Sequence, residues 1–191
     1  MRTLFIDFDG TICHDKFWRG LDNVNRALVQ KTIFVNNPVA AEWMCGKHTS
    51  EAINQFVSQE TGLEYKMLWD VFVNDCKTMA VDHELLEQIG QLRQKFHVVL
   101  ITGNMDCFDR FTVPSLRLHN KFDVIVNSFN EGQLKYDRNG ETFLKYTLGN
   151  FDDAILIDDS TTACDVFREL GGMAQQVTET ISAHHYIENL L

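Results

Sequence analysis

Four short apolar runs, each ending in polar residues and separated by stretches of helical period, restrict this chain to alternating strand and helix. They are Leu4–Phe8, Val98–Ile101, Val124–Val126 and Ala154–Ile157. Each contains β-branched residues, as strands buried on both faces of a parallel sheet do. Glu84–Lys95 sets Leu85, Ile89 and Leu92 on one stripe and predicts a helix leading into the second strand. Glu141–Leu148 and Thr161–Leu170 predict helices around the fourth strand, with Gly171-Gly172 stopping the latter. A fifth strand is expected at Ala174–Val177. The predicted class is α/β, a three-layer Rossmann-like parallel sheet.

The spacing of the runs is uneven. Roughly 90 residues separate the first strand from the second, whereas a βαβ unit needs only about 30. The surplus lies within residues 14–82 and reads as helical: Leu21–Gln30, a segment near Asn37–Cys45, Ser50–Thr61 and Glu64–Met79. Ser50, Ala52, Ile53, Phe56 and Val57 fall on one helical face, with Thr49 or Ser50 as N-cap, and Gly62 marks the following turn. The expected organisation is a core from residues 1–13 and 83–191, with residues 14–82 as an inserted helical subdomain.

The first strand runs straight into Asp7-Phe8-Asp9-Gly10-Thr11. Side chains two apart on an extended chain point the same way, so Asp7 and Asp9 are expected to converge at the strand's carboxyl end. Paired carboxylates repel unless a proton or cation lies between them, and magnesium supplies that counter-charge through oxygen ligands. Ligand sites in open α/β sheets lie beyond the carboxyl ends of the strands. There the second strand offers Thr102-Gly103-Asn104, the fourth offers Asp158-Asp159-Ser160, and the connection between them offers Lys135.

Composition narrows the partners. A net charge of −10 disfavours a nucleic-acid backbone and points to a small substrate met by locally placed cations or a metal. The five cysteines are scattered with no Cys-x-x-Cys pair, which argues against a disulfide framework or a zinc ribbon. The first residues lack a signal peptide's apolar run, and no stretch reaches membrane-spanning length. A cytoplasmic protein without a membrane partner is expected.

Taken together and in this order, the strand ends resemble the haloacid dehalogenase-like superfamily of phosphotransfer enzymes. The resemblance covers residues 1–13 and 83–180: Asp7-Phe8-Asp9-Gly10-Thr11 is similar to the family's first motif, Thr102 to the second, Lys135 to the third and Asp158-Asp159 to the fourth. The helical insert directly after the first motif is similar to a type-1 cap. The resemblance implies a magnesium-dependent phosphomonoester hydrolase acting on a small phosphorylated metabolite, such as a sugar phosphate, a phospho-acid or a nucleotide. Asp7 would be the nucleophile, forming an aspartyl-phosphate. Asp9 would protonate the leaving oxygen and then deprotonate water. Members that act on carbon–halogen bonds lack this second aspartate.

The resemblance also implies that Asp7, the Asp9 carbonyl and one or both of Asp158 and Asp159 hold magnesium. Asp159 is favoured, because it lies twelve residues before Gly171, a spacing similar to the family's. Thr102, Gly103 and Lys135 would bind phosphate. Tyr136 stands where many relatives have proline, so Lys145 and Lys121 are kept as alternatives to Lys135. Ala163 stands where relatives often carry Asn or Asp. In the insert, Cys45-Gly46-Lys47-His48-Thr49 is similar to a substrate-contacting loop, which makes Lys47 and His48 candidates. Lys16, Trp18 and Arg19 lie where the chain enters the insert, and Arg19 is a candidate for a substrate carboxylate or second phosphate. His184-His185 reads as a solvated helix face, and Phe56, Phe72, Phe96 and Phe122 read as core. A phosphomutase or phosphotransferase using the same residues, and a non-catalytic phosphate-binding regulator, are the alternatives.

Overall fold

The computed structural model describes residues 1–35 and 38–191. Strand β1 (Arg2–Ile6) is followed by four helices, α1 (Asn23–Phe34), α2 (Val39–Met44), α3 (Ser50–Thr61) and α4 (Tyr65–Lys77). Then come α5 (His83–Leu92), β2 (Phe96–Thr102), a π-helical turn at Phe108–Thr112 running into α6 (Val113–Leu116), and β3 (Val124–Asn127). The chain ends with α7 (Ser128–Glu131), α8 (Glu141–Tyr146), β4 (Ile155–Asp158), α9 (Thr161–Glu169), β5 (Met173–Gln176) and α10 (Ala183–Glu188). The five strands form one parallel sheet in the order β3-β2-β1-β4-β5.

Alternation along the strands builds the layers. Leu4 and Ile6, Val98 and Leu100, and Ile155 and Ile157 face α5 and α10, meeting Leu85, Ile89 and Ile187. Phe5, Val99, Ile101 and Leu156 face the other side, where Phe143 of α8 and Phe167 of α9 cover them. The rings of Phe5, Phe143 and Phe167 meet edge to face, with centroids 5.0–5.8 Å apart. The result is the expected α/β sandwich of three layers.

All five expected strands form, but β1 stops at Ile6 rather than Phe8. The helices of the insert also form, and α3 has the expected bounds. Thr49 caps it by accepting from the Ala52 N–H at 3.3 Å, and Gly62 ends it with a positive φ of 73°. Asn37, the expected start of α2, lies outside the described residues. The helical turns between residues 105 and 116 were not anticipated, and they matter for packing. The insert's apolar cluster (Trp18, Val29, Ile33, Trp43, Leu68, Phe72) also takes in Met105 and Cys107 from the segment after β2. The insert is therefore not self-contained: it closes its core on residues beyond the 14–82 range.

Three features hold the insert in place. Its entering and leaving segments pair as an isolated antiparallel bridge between Cys13 and Val81. Asp106, just after β2, accepts from Trp43 Nε1 at 2.9 Å, from the Ser50 N–H at 3.1 Å and from Ser50 Oγ at 2.6 Å. Arg110 joins Asp106 at 2.8 Å to Glu51 at 2.6 Å. Among the described residues no helix is long and apolar enough to cross a membrane.

Candidate active site

The carboxyl edge of the sheet starts with Asp7, whose N–H donates to the Ile157 carbonyl at 3.0 Å and so extends the β1–β4 ladder by one residue. The chain then curls. The N–H groups of Thr11, Ile12 and Cys13 all point at the Phe8 carbonyl, at 3.0–3.3 Å, and Gly10 takes a φ of +82°. Asp9 therefore sits in a turn rather than on the pleat, and the two acids face different partners. A Cβ on Gly10 would lie 2.2 Å from Asp159 Oδ2, so both space and φ require glycine there. Thr11 Oγ1 lies 3.4 Å from Asp7 Oδ2 and accepts from the Asp159 N–H at 3.1 Å, linking β1 to β4.

Lys135 arrives from the segment after α7, and its Nζ lies 2.6 Å from Asp7 Oδ1 and 2.6 Å from Asp158 Oδ2. Burial by itself would lower the Lys135 pKa, but the two carboxylates hold it above the ordinary lysine value. Asp158 is fully buried, and its other oxygen accepts from the Ser160 N–H at 2.8 Å. Asp159 is exposed, and its carboxylate bonds to no other residue's side chain among the described residues. Asp7, Asp158 and Asp159 each present an oxygen within 4.8 Å of the others. Burial and the neighbouring Asp158 raise the pKa of Asp159, and burial raises that of Asp7 against the pull of Lys135.

Asp9 accepts from Asn104 Nδ2 at 2.6 Å. Burial lifts its pKa to about 6, partly offset by the charges of Lys16 and Lys135. Three carboxylates, Asp7, Asp158 and Asp159, thus cluster beside one buried ammonium. Such a donor set is short of positive charge and rich in hard oxygen, which suits a small divalent cation.

Thr102 ends β2 with a buried hydroxyl that has no hydrogen-bond partner among the described residues, and Gly103 follows without a side chain. A cavity of about 200 Å³ brings together Asp7, Asp9, Gly103, Lys135 and Asp159. Asp9, Met44 and Gly103 are shared with a second cavity of about 340 Å³ that runs under the insert. Of the residues singled out from sequence, the sheet edge gathers Asp7, Asp9, Thr102, Gly103, Lys135, Asp158 and Asp159. Lys145 and Lys121 lie elsewhere, paired with Glu131 and Glu87.

Three insert candidates are not brought to the cleft. Arg19 spends its guanidinium on the Asp75 and Thr78 carbonyls, Thr78 Oγ1 and Asp15. Lys47 and His48 both turn to Glu42, at 3.3 and 3.2 Å. Lys47 and His48 meet an acceptor on the adjacent α2, whereas the fold brings Arg19 to the end of α4, 56 to 59 residues away in sequence. Trp18 is fully buried in the insert's core. Sequence reasoning gave no role to Asn104, Thr11 or Ser128. Ser128 Oγ accepts from the Asn104 N–H at 3.0 Å and lies 2.7 Å from the Met44 carbonyl. Asn104, directly after Thr102-Gly103, and Thr11, within the first motif, carried a positional signal, and Ser128 carried none.

No protein-family model and no curated protein matches the chain. Solved structures do match. A HAD family enzyme from Bacteroides thetaiotaomicron, bt-2542, in complex with magnesium and inorganic phosphate, superposes with a TM-score of 0.74. It shares 15% identity over 97% of this chain and 98% of its own. The chain has the haloacid dehalogenase-like fold. A predicted HAD-like family hydrolase from Porphyromonas gingivalis gives a TM-score of 0.72 at 16% identity, covering 100% of this chain and 97% of its own. L-2-haloacid dehalogenase from Xanthobacter autotrophicus, with chloropropionic acid covalently bound, gives 0.64 at 9% identity over 100% and 88%. The haloacid dehalogenase-like fold thus hosts both phosphate and carbon–halogen ligands in these neighbours, so the choice between them rests on the side chains of this chain.

Proposed function

We propose that the protein is a magnesium-dependent phosphomonoester hydrolase acting on a small phosphorylated metabolite, with the insert serving as a cap over the cleft. The observation that carries this reading is the division of labour between the two acids of the first motif. Asp7 lies against Lys135 beside two further carboxylates, whereas Asp9 stands apart on Asn104 at the opening of the larger cavity. A nucleophile needs the first setting and a proton carrier needs the second. The neighbour crystallised with magnesium and inorganic phosphate supports the same direction.

Asp7, Asp159 and the Asp9 carbonyl would hold magnesium, with Asp158 contributing through its contact with Lys135. Asp159 is preferred because its carboxylate is otherwise unengaged. Magnesium bound there offsets the negative charge that Asp7 and a phosphate share. The chain's own residues do the rest. An Asp7 carboxylate oxygen attacks phosphorus as the bond to the leaving oxygen breaks, and Asp9 gives its proton to that oxygen. Asp9 then takes a proton from water, the water oxygen attacks the aspartyl-phosphate, and the bond from phosphorus to Asp7 breaks to release phosphate. Thr102 Oγ1, the Gly103 backbone and Lys135 bind the non-bridging oxygens.

The test is phosphate release from an aryl phosphate with magnesium present. Wild type should turn over, and Asp7→Asn should fall by about 10⁴-fold or more with its circular dichroism unchanged. Equal release by both proteins would overturn the reading.

A further inference from the structure

We propose that the larger cavity selects phosphomonoesters whose leaving alcohol carries a planar ring with an anionic substituent, and that Lys16 reads the substituent. This rests on the hydrolase reading and adds to it a class of leaving group. The cavity opens directly from Asp9, the residue facing the leaving oxygen, and its volume of about 340 Å³ lies in the range of small-ligand sites.

Its walls are Phe17, Phe34, Met44 and Met105. Two rings and two thioethers make a soft, apolar enclosure that favours a flat, polarisable group. The polar side chains on the wall are largely committed. Asp15 accepts from the Ala80 N–H at 2.8 Å and pairs with Arg19 Nε at 3.3 Å. Gln30 Nε2 donates to the Phe17 carbonyl at 3.3 Å, leaving one amide hydrogen and Oε1 to meet a ligand. A hexose phosphate brings several hydroxyl groups, and each one buried without a partner costs about 1–3 kcal/mol. Apart from Lys16 and the remaining amide groups of Gln30, this wall offers them few free partners. A ring without hydroxyls incurs no such penalty and gains contact area.

Lys16 is the cation of the chamber. Among the described residues it forms no hydrogen bond or ion pair, while Arg19, three residues on, is saturated. Lys16 lines the chamber together with Asp9, Asp15, Phe17 and Phe34, and, against the rise from burial, its charge lowers the pKa of Asp9. A carboxylate or second phosphate on the ring can meet it without displacing a protein partner. Because Lys16 is exposed, the expected gain is that of a surface pair, about fivefold, and it should weaken with salt.

The experiment compares kcat/KM for benzyl phosphate, 4-carboxybenzyl phosphate and glucose 6-phosphate, all esters of primary alcohols, in wild type and Lys16→Met. Benzyl phosphate should exceed glucose 6-phosphate by about tenfold or more, and the 4-carboxy group should add about fivefold. Lys16→Met should lose the fivefold increment, cutting the carboxylated ester more than the plain one. Glucose 6-phosphate turned over as well as benzyl phosphate, or a Lys16→Met loss equal for all three esters, overturns the proposal. Calorimetric binding of benzylphosphonate and methylphosphonate, which cannot be hydrolysed, reads the chamber independently of turnover. Tighter binding of the benzyl compound supports it and equal binding overturns it. If no ester is hydrolysed while the phosphonates still rank as expected, the hydrolase reading fails and the chamber stands.

Discussion

At the scale of single residues, Gly10 shows how narrowly the cleft is built. Its φ of +82° favours glycine, and the Asp159 carboxylate occupies the place where a side chain would begin. Gly10→Ala must push Asp159 away, and a displacement of about 1 Å near reacting groups costs about 100-fold in rate. The left-handed backbone adds about 1–2 kcal/mol of strain. We expect kcat/KM for an aryl phosphate to fall by about 100-fold while urea unfolding shows that modest loss of stability. Activity at wild-type level would show that Asp159 can move without consequence. Asn104 argues the complementary point: its single 2.6 Å bond holds Asp9 in place. Asn104→Ala should lower kcat by about tenfold with little change in KM, as expected of a residue that positions a proton carrier rather than binds substrate.

At the scale of elements, the insert is fastened by Asp106. Its carboxylate takes bonds from Trp43 on α2, from Ser50 at the start of α3 and from Arg110 in the π-helical turn. Burial alone would raise its pKa, but the hydrogen bonds from Ser50, Trp43 and Arg110 overcome that and hold it below the usual carboxylate value. A folded-state pKa below the unfolded one contributes stability that is present above the unfolded value near 3.9 and lost as pH falls through the folded value. Asp106→Ala should therefore cost about 2–4 kcal/mol at neutral pH, since it strands Trp43 Nε1 and the Ser50 donors. The gap between mutant and wild type in urea unfolding should narrow as pH drops below about 4. A gap that is constant with pH would show that the carboxylate's charge is irrelevant. Packing fastens the insert too: Phe72 is fully buried and touches Trp18, Trp43 and Trp69, with centroids 4.8–5.9 Å away. Phe72→Ala should cost about 3–5 kcal/mol by the same measurement.

At the scale of the whole molecule, charge and stability are tied together at the sheet edge. The chain carries −10, and three of its carboxylates, Asp7, Asp158 and Asp159, cluster beside one buried lysine. A divalent cation that binds only the folded form stabilises it by about 2.7 kcal/mol at a hundredfold excess over Kd. Magnesium should therefore raise Tm beyond a sodium chloride control of equal ionic strength, and chelation should reverse the effect. Asp159→Ala should abolish most of that specific shift. An identical rise in magnesium and sodium chloride would mean simple screening of the net charge.

The alternation of apolar runs and helical periods made the sheet, its parallel direction and the helices between β1 and β2 readable in the sequence, because those patterns are local. Asp7, Asp9, Asp158 and Asp159 were readable for the same reason: carboxylates abutting strand ends conflict with burial and stand out. The tertiary structure alone decided which charges meet. Lys135 reaches Asp7 across 128 positions of chain, and in the sequence only its similarity to the third motif sets it ahead of Lys145. Packing of the insert took Arg19 to the end of α4, and α2 took Lys47 and His48, while Lys16, adjacent in sequence to Asp15, has no hydrogen bond or ion pair among the described residues and lies at the cavity wall. Periodicity records which face of an element is buried. Which side chains converge on one point depends on how those faces pack, and only the folded chain sets that.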